Sequence, residues 1–234
     1  MKISIITINY NNLSGLIKTI ESVINQCYLH FEFIVIDGGS TDGSKDYLIS
    51  QNERITYWMS EPDRGVYHAM NKGLEQTTGD FCLFLNSGDY FYDDNVLSNL
   101  YSQLDKNYGM IYGLIEWEHT GRYWNPKRDL KSFEFVFNSL IPHQASLYRV
   151  DALRKIGGFK EKYRVISDWT SMIDLLNAGY KMKKVDLLIS KCEAQGISAN
   201  LVKLVKKEKL HYLMLYSPLT LIRALLFKIK KLLR

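Results

Sequence analysis

The first hundred residues alternate short, continuous apolar runs with segments in which apolar residues recur at helical spacing. The apolar runs cover residues 2–8, 31–36, 55–59 and 81–85. A helix-period segment follows the first run and carries Leu13, Leu16, Ile17, Ile20, Val23 and Ile24. Apolar runs without polar alternation indicate strands that are buried on both faces. The pattern therefore predicts an α/β fold, with a mostly parallel sheet covered by helices on both faces.

The second half of the chain is less regular. Three strand-like runs and two helices are expected there, at residues 110–117, 144–148, 184–190, 151–156 and 167–177. Glycine, proline and aromatic residues between 119 and 142 favour loops and short elements. We expect one domain over residues 1–200, with halves at 1–100 and 101–200, followed by a helical tail over 201–234.

The distribution of charge separates this tail from the body. Residues 203–234 hold nine lysines and arginines and one acid, Glu208, which gives a net charge of +8. The other 21 basic and 24 acidic residues give the body a net charge of −3, although the whole chain carries +5. A nucleic-acid-binding domain would spread basic residues over one face of its folded body. The charge therefore argues against a nucleic-acid partner.

Cysteine usage and the start of the chain both indicate a reducing, cytoplasmic location. Cys27, Cys82 and Cys192 are too few and too scattered for a disulfide framework or a zinc site. Met1 and Lys2 lead directly into a short strand-like run, which lacks the organisation of a signal peptide. We therefore expect the protein to remain in the cytoplasm.

Polar side chains collect where four of the predicted strands end. In chain order they are Thr7, Asn9, Tyr10, Asp37, Asp63, Arg64, Asn86, Ser87 and Asp89. In open α/β sheets, ligands bind in the crevice beyond the carboxyl ends of the strands. We expect these side chains to line one crevice. The alternative is that they serve only turns and helix caps, which also favour polar residues.

The glycine-rich turn at residues 38–43 excludes two well-defined phosphate-binding motifs. It reads Gly-Gly-Ser-Thr-Asp-Gly, which is not the GxGxxG pattern of a Rossmann dinucleotide site. No Gly-Lys-Ser or Gly-Lys-Thr follows, so a P-loop is excluded as well. Asp37, directly before this turn, is a candidate acceptor for a base N–H. Asp89 is a candidate ligand for a divalent cation that meets a diphosphate.

Seven motifs of the chain together resemble those of a known family. In order they read SIITINYNN at 4–12, FIVIDGGSTDGS at 33–44, SEPDRGVYHAMNKGL at 60–74, TGDFCLFLNSGD at 78–89, PHQASLYR at 142–149, GGF at 157–159 and ISDW at 166–169. Their order and spacing are similar to those of the inverting glycosyltransferases of family two, which have the GT-A fold. They look most like the bacterial members that build O-antigen, capsule or exopolysaccharide repeat units.

The resemblance implies a nucleotide-sugar site in residues 1–100 and an acceptor site in residues 101–200. The donor side would comprise Thr7, Asn9, Tyr10, Asp37, Asp63, Arg64, Asn86 and Ser87. The family's metal motif usually reads Asp-x-Asp. The matching stretch here runs from Asn86 to Asp89 and keeps only the last carboxylate, so Asp89 would hold Mg²⁺ or Mn²⁺.

Asp168 matches the position of the family's catalytic base, at the start of a helix after the GGF motif. A carboxylate within hydrogen-bond reach of an attacking sugar hydroxyl can take its proton, and the anomeric configuration would invert. Asp168 is also a plausible cap of its helix together with Ser167, and the two roles are compatible. The metal ion would neutralise charge on the departing nucleoside diphosphate.

His143 and Trp169 lie in segments that match the acceptor side of the family's site. A histidine satisfied within the fold is the alternative for His143, and a neutral or a charged imidazole could serve in either role. Trp169 is expected either to fill the core or to stack on an acceptor sugar. Both residues are therefore candidates for the acceptor site.

Residues 219–234 predict a basic amphipathic helix. On a helical wheel, leucine and isoleucine fall on one half and Arg223, Lys230, Lys231 and Arg234 on the other. This pattern is typical of a helix lying in an anionic membrane surface. Ser217-Pro218 and Arg223 interrupt the apolar stretch, so a membrane-spanning helix is not expected. Packing of this helix on the body, or in a dimer, is the alternative.

The combined interpretation is a metal-dependent inverting glycosyltransferase at the inner face of the plasma membrane. It would use a UDP-sugar and extend a polyprenyl-diphosphate-linked saccharide of a surface polysaccharide such as lipopolysaccharide O-antigen or capsule. A sugar nucleotidyltransferase is one alternative, but it needs a glycine-rich, basic first loop, which residues 9–12 do not provide. A non-catalytic, membrane-associated nucleotide-binding protein is the other, because Asn86 and Gly88 replace carboxylates.

Overall fold

The computed structural model describes residues 1–118, 120–125, 141–192 and 201–232. Most of the loops expected between 119 and 142 therefore lie outside the described residues, as do the last two residues of the predicted tail. The described residues form a nine-stranded sheet, with helices packed on both faces. The predicted α/β class is confirmed.

The first half of the sheet is parallel, as the apolar runs predict. Its strands are β1 (Ile3–Asn9), β2 (Phe31–Asp37), β3 (Tyr57–Ser60) and β4 (Phe81–Phe84), in the spatial order β3-β2-β1-β4. Helices α1 (Leu13–Ile24), α2 (Ser44–Ser50) and α3 (Val66–Gln76) connect them. Every neighbouring pair among these strands is parallel. Their carboxyl ends therefore meet at one edge, where the sequence predicts a crevice.

The second half extends the sheet with mixed pairing. It contains β5 (Tyr90–Phe91), α4 (Val96–Tyr101), β6 (Tyr108–Trp117), β7 (Arg122–Trp124), a 3₁₀ turn (His143–Ala145), β8 (Ser146–Arg149), α5 (Val150–Lys155), α6 (Ser167–Asn177) and β9 (Lys181–Cys192). Strand β8 joins the two halves and lies antiparallel to both β4 and β6. Strands β5 and β7 are also antiparallel to their partners, whereas β6 and β9 are parallel. Most strands therefore keep the direction of the first half.

The strands of the parallel half are buried on both faces. On β1, Ile3 and Ile5 belong to the core cluster that includes α1, whereas Ile6 and Ile8 belong to the cluster that includes α3. Successive side chains of a strand point to opposite faces, so this division follows from the pleat. Burial on both faces explains why these strands read as continuous apolar runs.

The strand expected at residues 144–148 begins later, at Ser146. The Pro142 carbonyl accepts a hydrogen bond from the Ala145 N–H at 3.1 Å and another from the Ser146 hydroxyl at 2.8 Å. These bonds close a 3₁₀ turn before the strand starts. The turn holds His143 beyond the end of β8.

Helix α6 has the predicted end but a different start. Ile166 is its N-cap residue, so neither Ser167 nor Asp168 caps the helix through its side chain. Asp168 lies in the first turn instead, where the helix dipole favours a negative charge. At the other end, Gly179 adopts a φ of +85°, the left-handed conformation that commonly terminates helices.

The tail forms two helices, α7 (Val202–Tyr216) and α8 (Pro218–Leu232), and the predicted amphipathic segment begins one residue into the second. A proline cannot continue the hydrogen bonding of α7, and Pro218 begins α8. Tyr212 and Leu213 of α7 are buried in the core, and the Tyr212 hydroxyl donates to Asp174 of α6. Thus α7 packs on the body, whereas α8 exposes apolar side chains. No helix in the described part of the chain has the length and apolar character of a membrane-spanning segment.

Candidate functional site

A cleft of about 610 Å³ opens where β1, β2 and β4 end. The predicted residues Asn9, Tyr10, Asp63, Asn86 and Ser87 line it. The strand register brings these positions together, because Asn9 on β1 is the direct partner of Asp37 on β2. The structure therefore contains a cleft at the predicted edge of the sheet, with five of the expected side chains in its walls.

Asp37 lies behind this cleft as a fully buried carboxylate with four hydrogen bonds. Its Oδ1 accepts from Asn9 Nδ2 at 2.7 Å and from the Ser40 hydroxyl at 2.5 Å. Its Oδ2 accepts from the Ser40 N–H at 2.9 Å and from the Ser60 hydroxyl at 2.6 Å. Burial alone would raise the pKa of Asp37, but the bonds from Ser40, Ser60 and Asn9 outweigh it and lower the pKa.

These four bonds change the expected role of Asp37. A carboxylate has about four acceptor positions, and the fold uses all of them. A base N–H would have to displace one of these donors to reach Asp37. The neighbouring Asn9 Oδ1 is buried and has no hydrogen-bond partner among the described residues. Asn9 thus presents the acceptor that the sequence analysis assigned to Asp37.

Asn86 and Ser87 place two further unpartnered polar atoms at the cleft. Within the described residues, neither Asn86 Oδ1 nor Ser87 Oγ has a hydrogen-bond partner, and both atoms are buried. The loop approaches α1 closely, since Asn12 Nδ2 donates to the Ser87 carbonyl at 3.1 Å. Buried polar atoms in folded proteins are nearly always paired. Their presence in one cleft, together with Asn9 Oδ1, is the arrangement expected where a polar ligand binds.

Asp63 and Arg64 differ in their relation to the cleft. Asp63 lines it, and its Oδ1 accepts from the Gly65 N–H at 2.7 Å. Its Oδ2 approaches Gly38 so closely that a Cβ there would lie 2.6 Å away. Arg64 points away from the cleft and pairs with Glu161 at 2.7 Å, with 71% of its side chain exposed. In this arrangement Asp63 takes its expected place and Arg64 does not.

Thr7 and Tyr10 are also separated by the fold. The Thr7 hydroxyl is fully buried and donates to the Leu85 carbonyl at 2.7 Å, which joins β1 to the residue after β4. Thr7 therefore supports the sheet behind the cleft and is not among the residues that line it. Tyr10 is 67% exposed and presents its ring at the cleft. Of this pair, only Tyr10 lines the cleft.

Asp89 lies beyond the cleft wall, at the end of the loop that starts with Asn86. The Thr19 hydroxyl of α1 donates to the Asp89 carbonyl at 2.7 Å and accepts from the Gly88 N–H at 3.0 Å, which fixes this loop. Burial raises the pKa of the Cys192 thiol on β9, and the nearby Asp89 carboxylate raises it further. Among the described residues, no group of three His, Cys, Asp or Glu side chains forms a metal site.

A single carboxylate fits a divalent cation that is held mainly by the phosphates of a bound substrate. Mg²⁺ is commonly bound through one or two carboxylates plus the phosphates of a substrate, and it retains several waters. Asp89 supplies one carboxylate, three residues after the unpartnered Asn86 Oδ1. Within its described part the chain has no preformed metal cage, so a cation would have to be held largely by the phosphates of a bound substrate.

Asp168 occupies a nearly buried position next to the cleft, with 5% of its surface exposed. Its Oδ1 accepts from the Tyr67 hydroxyl at 3.0 Å and from the Trp169 N–H at 2.9 Å. Burial raises the pKa of Tyr67 well above its usual value, and the charge of Asp168 raises it further. Tyr67 therefore remains a protonated donor to this carboxylate.

His143 connects Asp168 to the cleft. His143 Nδ1 lies 3.3 Å from Asp168 Oδ2, and Nε2 lies 3.1 Å from Asn86 Nδ2. The chain Asn86–His143–Asp168 thus runs from the cleft wall to the candidate base. His143 was expected at the acceptor side of the site, and the structure places it between the two candidate groups.

Trp169 fills the core and does not present a face to an acceptor. It is 1% exposed, and its ring packs edge-on against Tyr212 of α7. Lys209, also on α7, lies 4.7 Å above the Trp169 ring. Burial lowers the pKa of Lys209, and the Asp168 charge opposes this shift. Of the two roles expected for Trp169, the structure shows the filling of the core, beneath the first tail helix.

Four site residues were missed by the sequence analysis: Asn12, Thr19, Tyr67 and Lys209. Asn12 and Thr19 carried a local signal, because they are polar residues on or before the apolar face of α1. Tyr67 looked like an ordinary core residue of α3, and Lys209 like one of many tail lysines. Their contacts with the site come from elements far apart in the chain, which no local pattern reveals.

Comparison with curated proteins identifies related glycosyltransferases. An uncharacterized glycosyltransferase of Mycobacterium tuberculosis is 35% identical over 173 residues, which cover 71% of this chain and 65% of the relative. A PGL/p-HBAD biosynthesis glycosyltransferase of Mycobacterium bovis BCG is 32% identical over 172 residues, covering 71% of this chain and 66% of the relative. The chain thus spans slightly less than two thirds of the length of the curated relatives it matches.

Comparison with solved structures identifies the same fold. S. aureus TarS in complex with UDP-GlcNAc has a TM-score of 0.67 at 20% identity, covering 84% of this chain and 59% of TarS. The mannosyltransferase PcManGT from Pyrobaculum calidifontis, in complex with GDP-Man and Mn²⁺, has a TM-score of 0.67 at 17% identity, covering 95% of this chain and 72% of that chain. These similarities confirm the predicted GT-A fold.

Comparison with family models shows family membership in addition to the shared fold. The model described as Glycosyl transferase family 2 matches residues 4–185, which include the whole cleft and Asp168. The resemblance inferred from the seven motifs is therefore confirmed. This protein belongs to glycosyl transferase family 2.

Proposed function

We propose that this glycosyltransferase moves a sugar from a nucleoside diphosphate, with a UDP-sugar as the first candidate, to a lipid-linked saccharide of a surface polysaccharide. The observation that carries the proposal is the cleft with three buried, unpartnered polar atoms, on Asn9, Asn86 and Ser87. Hydrogen bonds to a bound nucleotide-sugar donor would satisfy these three atoms. Asp168 is linked to the cleft wall through His143 and would take the proton of the acceptor hydroxyl.

The nucleobase would bind at the β1 end of the cleft. Asn9 Oδ1 would accept a hydrogen bond from a ring N–H such as that of uracil, while the exposed Tyr10 ring would cover the base. Asp37 holds Asn9 in place from behind and would order this end of the cleft without touching the base. The relatives TarS and PcManGT bind UDP-GlcNAc and GDP-Man, so both nucleotides need to be tested.

The diphosphate would lie near the loop that starts at Asn86. Asn86 and Ser87 offer side-chain hydrogen-bonding atoms there. The left-handed Gly88, with φ of +101°, gives the loop its sharp bend. Asp89 would be the protein ligand of Mg²⁺ or Mn²⁺, which would supply positive charge for the leaving diphosphate.

Asp168 would act as the general base. Its Oδ1 is held by Tyr67 and by the Trp169 N–H, so the carboxylate has a fixed orientation. An acceptor hydroxyl within hydrogen-bond reach of Oδ2 would lose its proton as it attacks the anomeric carbon. Direct displacement of the nucleoside diphosphate by this hydroxyl inverts the anomeric configuration.

The last helix supports a membrane-bound acceptor. Leu219, Ile222, Leu226 and Ile229 recur at helical spacing on α8, and each is more than half exposed. Lys228, Lys230 and Lys231 in the same segment make it basic. An apolar face with neighbouring positive charge suits the anionic inner leaflet of a plasma membrane. Contact there would bring the cleft to a polyprenyl-diphosphate-linked substrate.

The two alternatives have less support. A nucleotidyltransferase would need basic groups in the loop at residues 9–12, where the chain has Asn9, Tyr10, Asn11 and Asn12. A non-catalytic binder would not need a buried carboxylate held by Tyr67 and His143 next to the cleft. Metal-dependent turnover of a nucleotide sugar separates both alternatives from a transferase.

The first prediction concerns donor and metal binding. Calorimetric titration should show that UDP binds the wild-type protein more tightly with Mn²⁺ present than without it. Asp89→Ala should weaken the Mn²⁺-dependent binding about tenfold or more, because it removes the protein's carboxylate from the metal complex. Asp93→Ala, which removes a carboxylate from the next turn, is the matched control.

Other results of this titration would change the proposal in defined ways. Preference for GDP or dTDP would keep the transferase class and change the donor. An unaltered metal response in Asp89→Ala would remove Asp89 as the ligand. Failure to bind any nucleoside diphosphate would favour a different function for the cleft.

The second prediction concerns the base. Asp168→Asn should lower kcat for sugar transfer by about 10²- to 10⁴-fold, because the amide cannot take the proton of the acceptor hydroxyl. UDP affinity should change far less than kcat, because Asp168 acts on the cleft through His143 and does not line it. Asp186→Asn, at a site that is 85% exposed on β9, is the control. Unchanged turnover in Asp168→Asn would exclude the base assignment.

The third prediction concerns the membrane. Replacing both Leu226 and Ile229 with serine should reduce sedimentation with phosphatidylglycerol-containing vesicles about tenfold or more, because two exposed apolar anchors are lost. The control replaces Leu29 and Ile49, which are at least as exposed but lie on the body. Truncation should start at residue 218, because α7 contributes Tyr212 and Leu213 to the core. Equal vesicle binding by all proteins would contradict the proposed membrane contact.

A further inference from the structure

His143 has a hydrogen-bonding geometry that couples the base to the donor cleft. The side chain is 16% exposed and lies in the 3₁₀ turn between Pro142 and β8. One ring nitrogen faces Asp168 Oδ2 at 3.3 Å, and the other faces Asn86 Nδ2 at 3.1 Å. Each ring nitrogen therefore has one partner, on opposite sides of the site.

The chemistry of the three groups allows one consistent arrangement when the ring is neutral. An ionised carboxylate only accepts hydrogen bonds, so His143 Nδ1 must carry the proton that faces Asp168. Nε2 is then an acceptor, and Asn86 must turn its NH₂ group toward it. The amide oxygen of Asn86 is thereby directed away from His143. This oxygen is the buried, unpartnered atom at the cleft.

We propose that His143 is a positioning residue that fixes the orientation of the base Asp168 and the Asn86 amide through one ring tautomer. The proposal rests on the proposed function of Asp168 as the base. Through His143, the carboxylate determines which atom Asn86 presents to the donor. The donor's polar groups would meet an oxygen acceptor at Asn86 whenever Asp168 is ionised.

The hydrogen bonds of Asp168 explain why this positioning affects chemistry. Oδ1 already accepts two hydrogen bonds, from Tyr67 and from the Trp169 N–H. Oδ2 accepts one from His143, and a carboxylate oxygen has a second lone pair. That lone pair of Oδ2 is where the acceptor's proton would be taken. Without His143, Oδ2 would lose the hydrogen bond shown for it, and only the two bonds to Oδ1 among the described contacts would hold the carboxylate.

The tautomer is the direct test. Long-range ¹H–¹⁵N correlation spectra of protein labelled in histidine, recorded at pH 8, report which ring nitrogen carries the proton. A histidine without directing partners favours the proton on Nε2, and the exposed His30 serves as the internal reference. We expect His143 to carry its proton on Nδ1, with its signal assigned by its loss in His143→Asn. A proton mainly on Nε2 would overturn the proposal.

Two variants test the coupling in the same spectra. Asn86→Leu removes the donor to Nε2, and Asp168→Asn removes the carboxylate that faces Nδ1. Each should move His143 toward the Nε2-protonated form. An unchanged Nδ1 proton in both variants would show that other contacts fix the ring, which would contradict the coupling. These spectra need no substrate, so they test the arrangement even if the proposed donor is wrong.

Kinetic measurements separate positioning from simple structural support. His143→Leu should lower kcat about 10- to 100-fold, because Oδ2 loses its directing bond. In His143→Asn, the amide N–H of the new side chain can replace Nδ1. The side chain is too short to reach Asn86 as well. Compared with His143→Leu, this variant should therefore recover most of kcat. Its donor KM should remain higher than that of the wild type, because the Asn86 amide is no longer held. Equal kcat losses in both variants, at unchanged melting temperature, would contradict the positioning role.

The proposed function and the proposed role of His143 can fail independently. If the wild-type protein transfers no sugar from any nucleotide donor while His143 shows the Nδ1 tautomer, the proposed function fails and the hydrogen-bonded arrangement stands. If transfer occurs and the tautomer is Nε2, the function stands and the role of His143 is wrong.

Discussion

The buried carboxylate of Asp37 is the constraint on which the cleft depends. It binds Asn9 at the end of β1, Ser40 in the glycine-rich turn and Ser60 at the end of β3. Leaving a buried polar group without one of its hydrogen bonds generally costs about 1–3 kcal/mol, and more when the group is charged, so these bonds hold three segments in one geometry. The position of Asn9 Oδ1, and hence of any base that it contacts, follows from this arrangement.

The remaining chemistry comes from the other half of the sheet. Strand β8 pairs with β4, so the turn before β8 places His143 next to Asn86, which follows β4 in the chain. Helix α6 contributes Asp168 from the same side, and Tyr67 of α3 holds it. The parallel half thus forms the wall of the donor cleft, and the antiparallel join brings the candidate base to it. The division into a donor half and an acceptor half stays a prediction.

The sequence predicted the features that depend on local patterns. Continuous apolar runs identified the parallel strands, and polar strand ends identified Asn9, Asp63 and Asn86 as cleft residues. It could not distinguish Asp37 from Asn9 as the free acceptor, because that depends on hydroxyl groups 3 and 23 residues away. Trp169 was equally ambiguous, since its burial results from α7, more than 30 residues later. The pairing of Tyr67 with Asp168 spans 101 residues and had no local signal.

The stereochemistry of transfer tests the central claim most directly. A single carboxylate that takes the proton of the acceptor implies direct displacement at the anomeric carbon, whereas a covalent intermediate would require a second nucleophile. Proton NMR coupling constants of the product, made from a donor with an α-linked sugar and followed from the first turnover, report the new linkage. The account predicts a β-linked product. An α-linked product would contradict the assignment of Asp168 as the base of an inverting transferase.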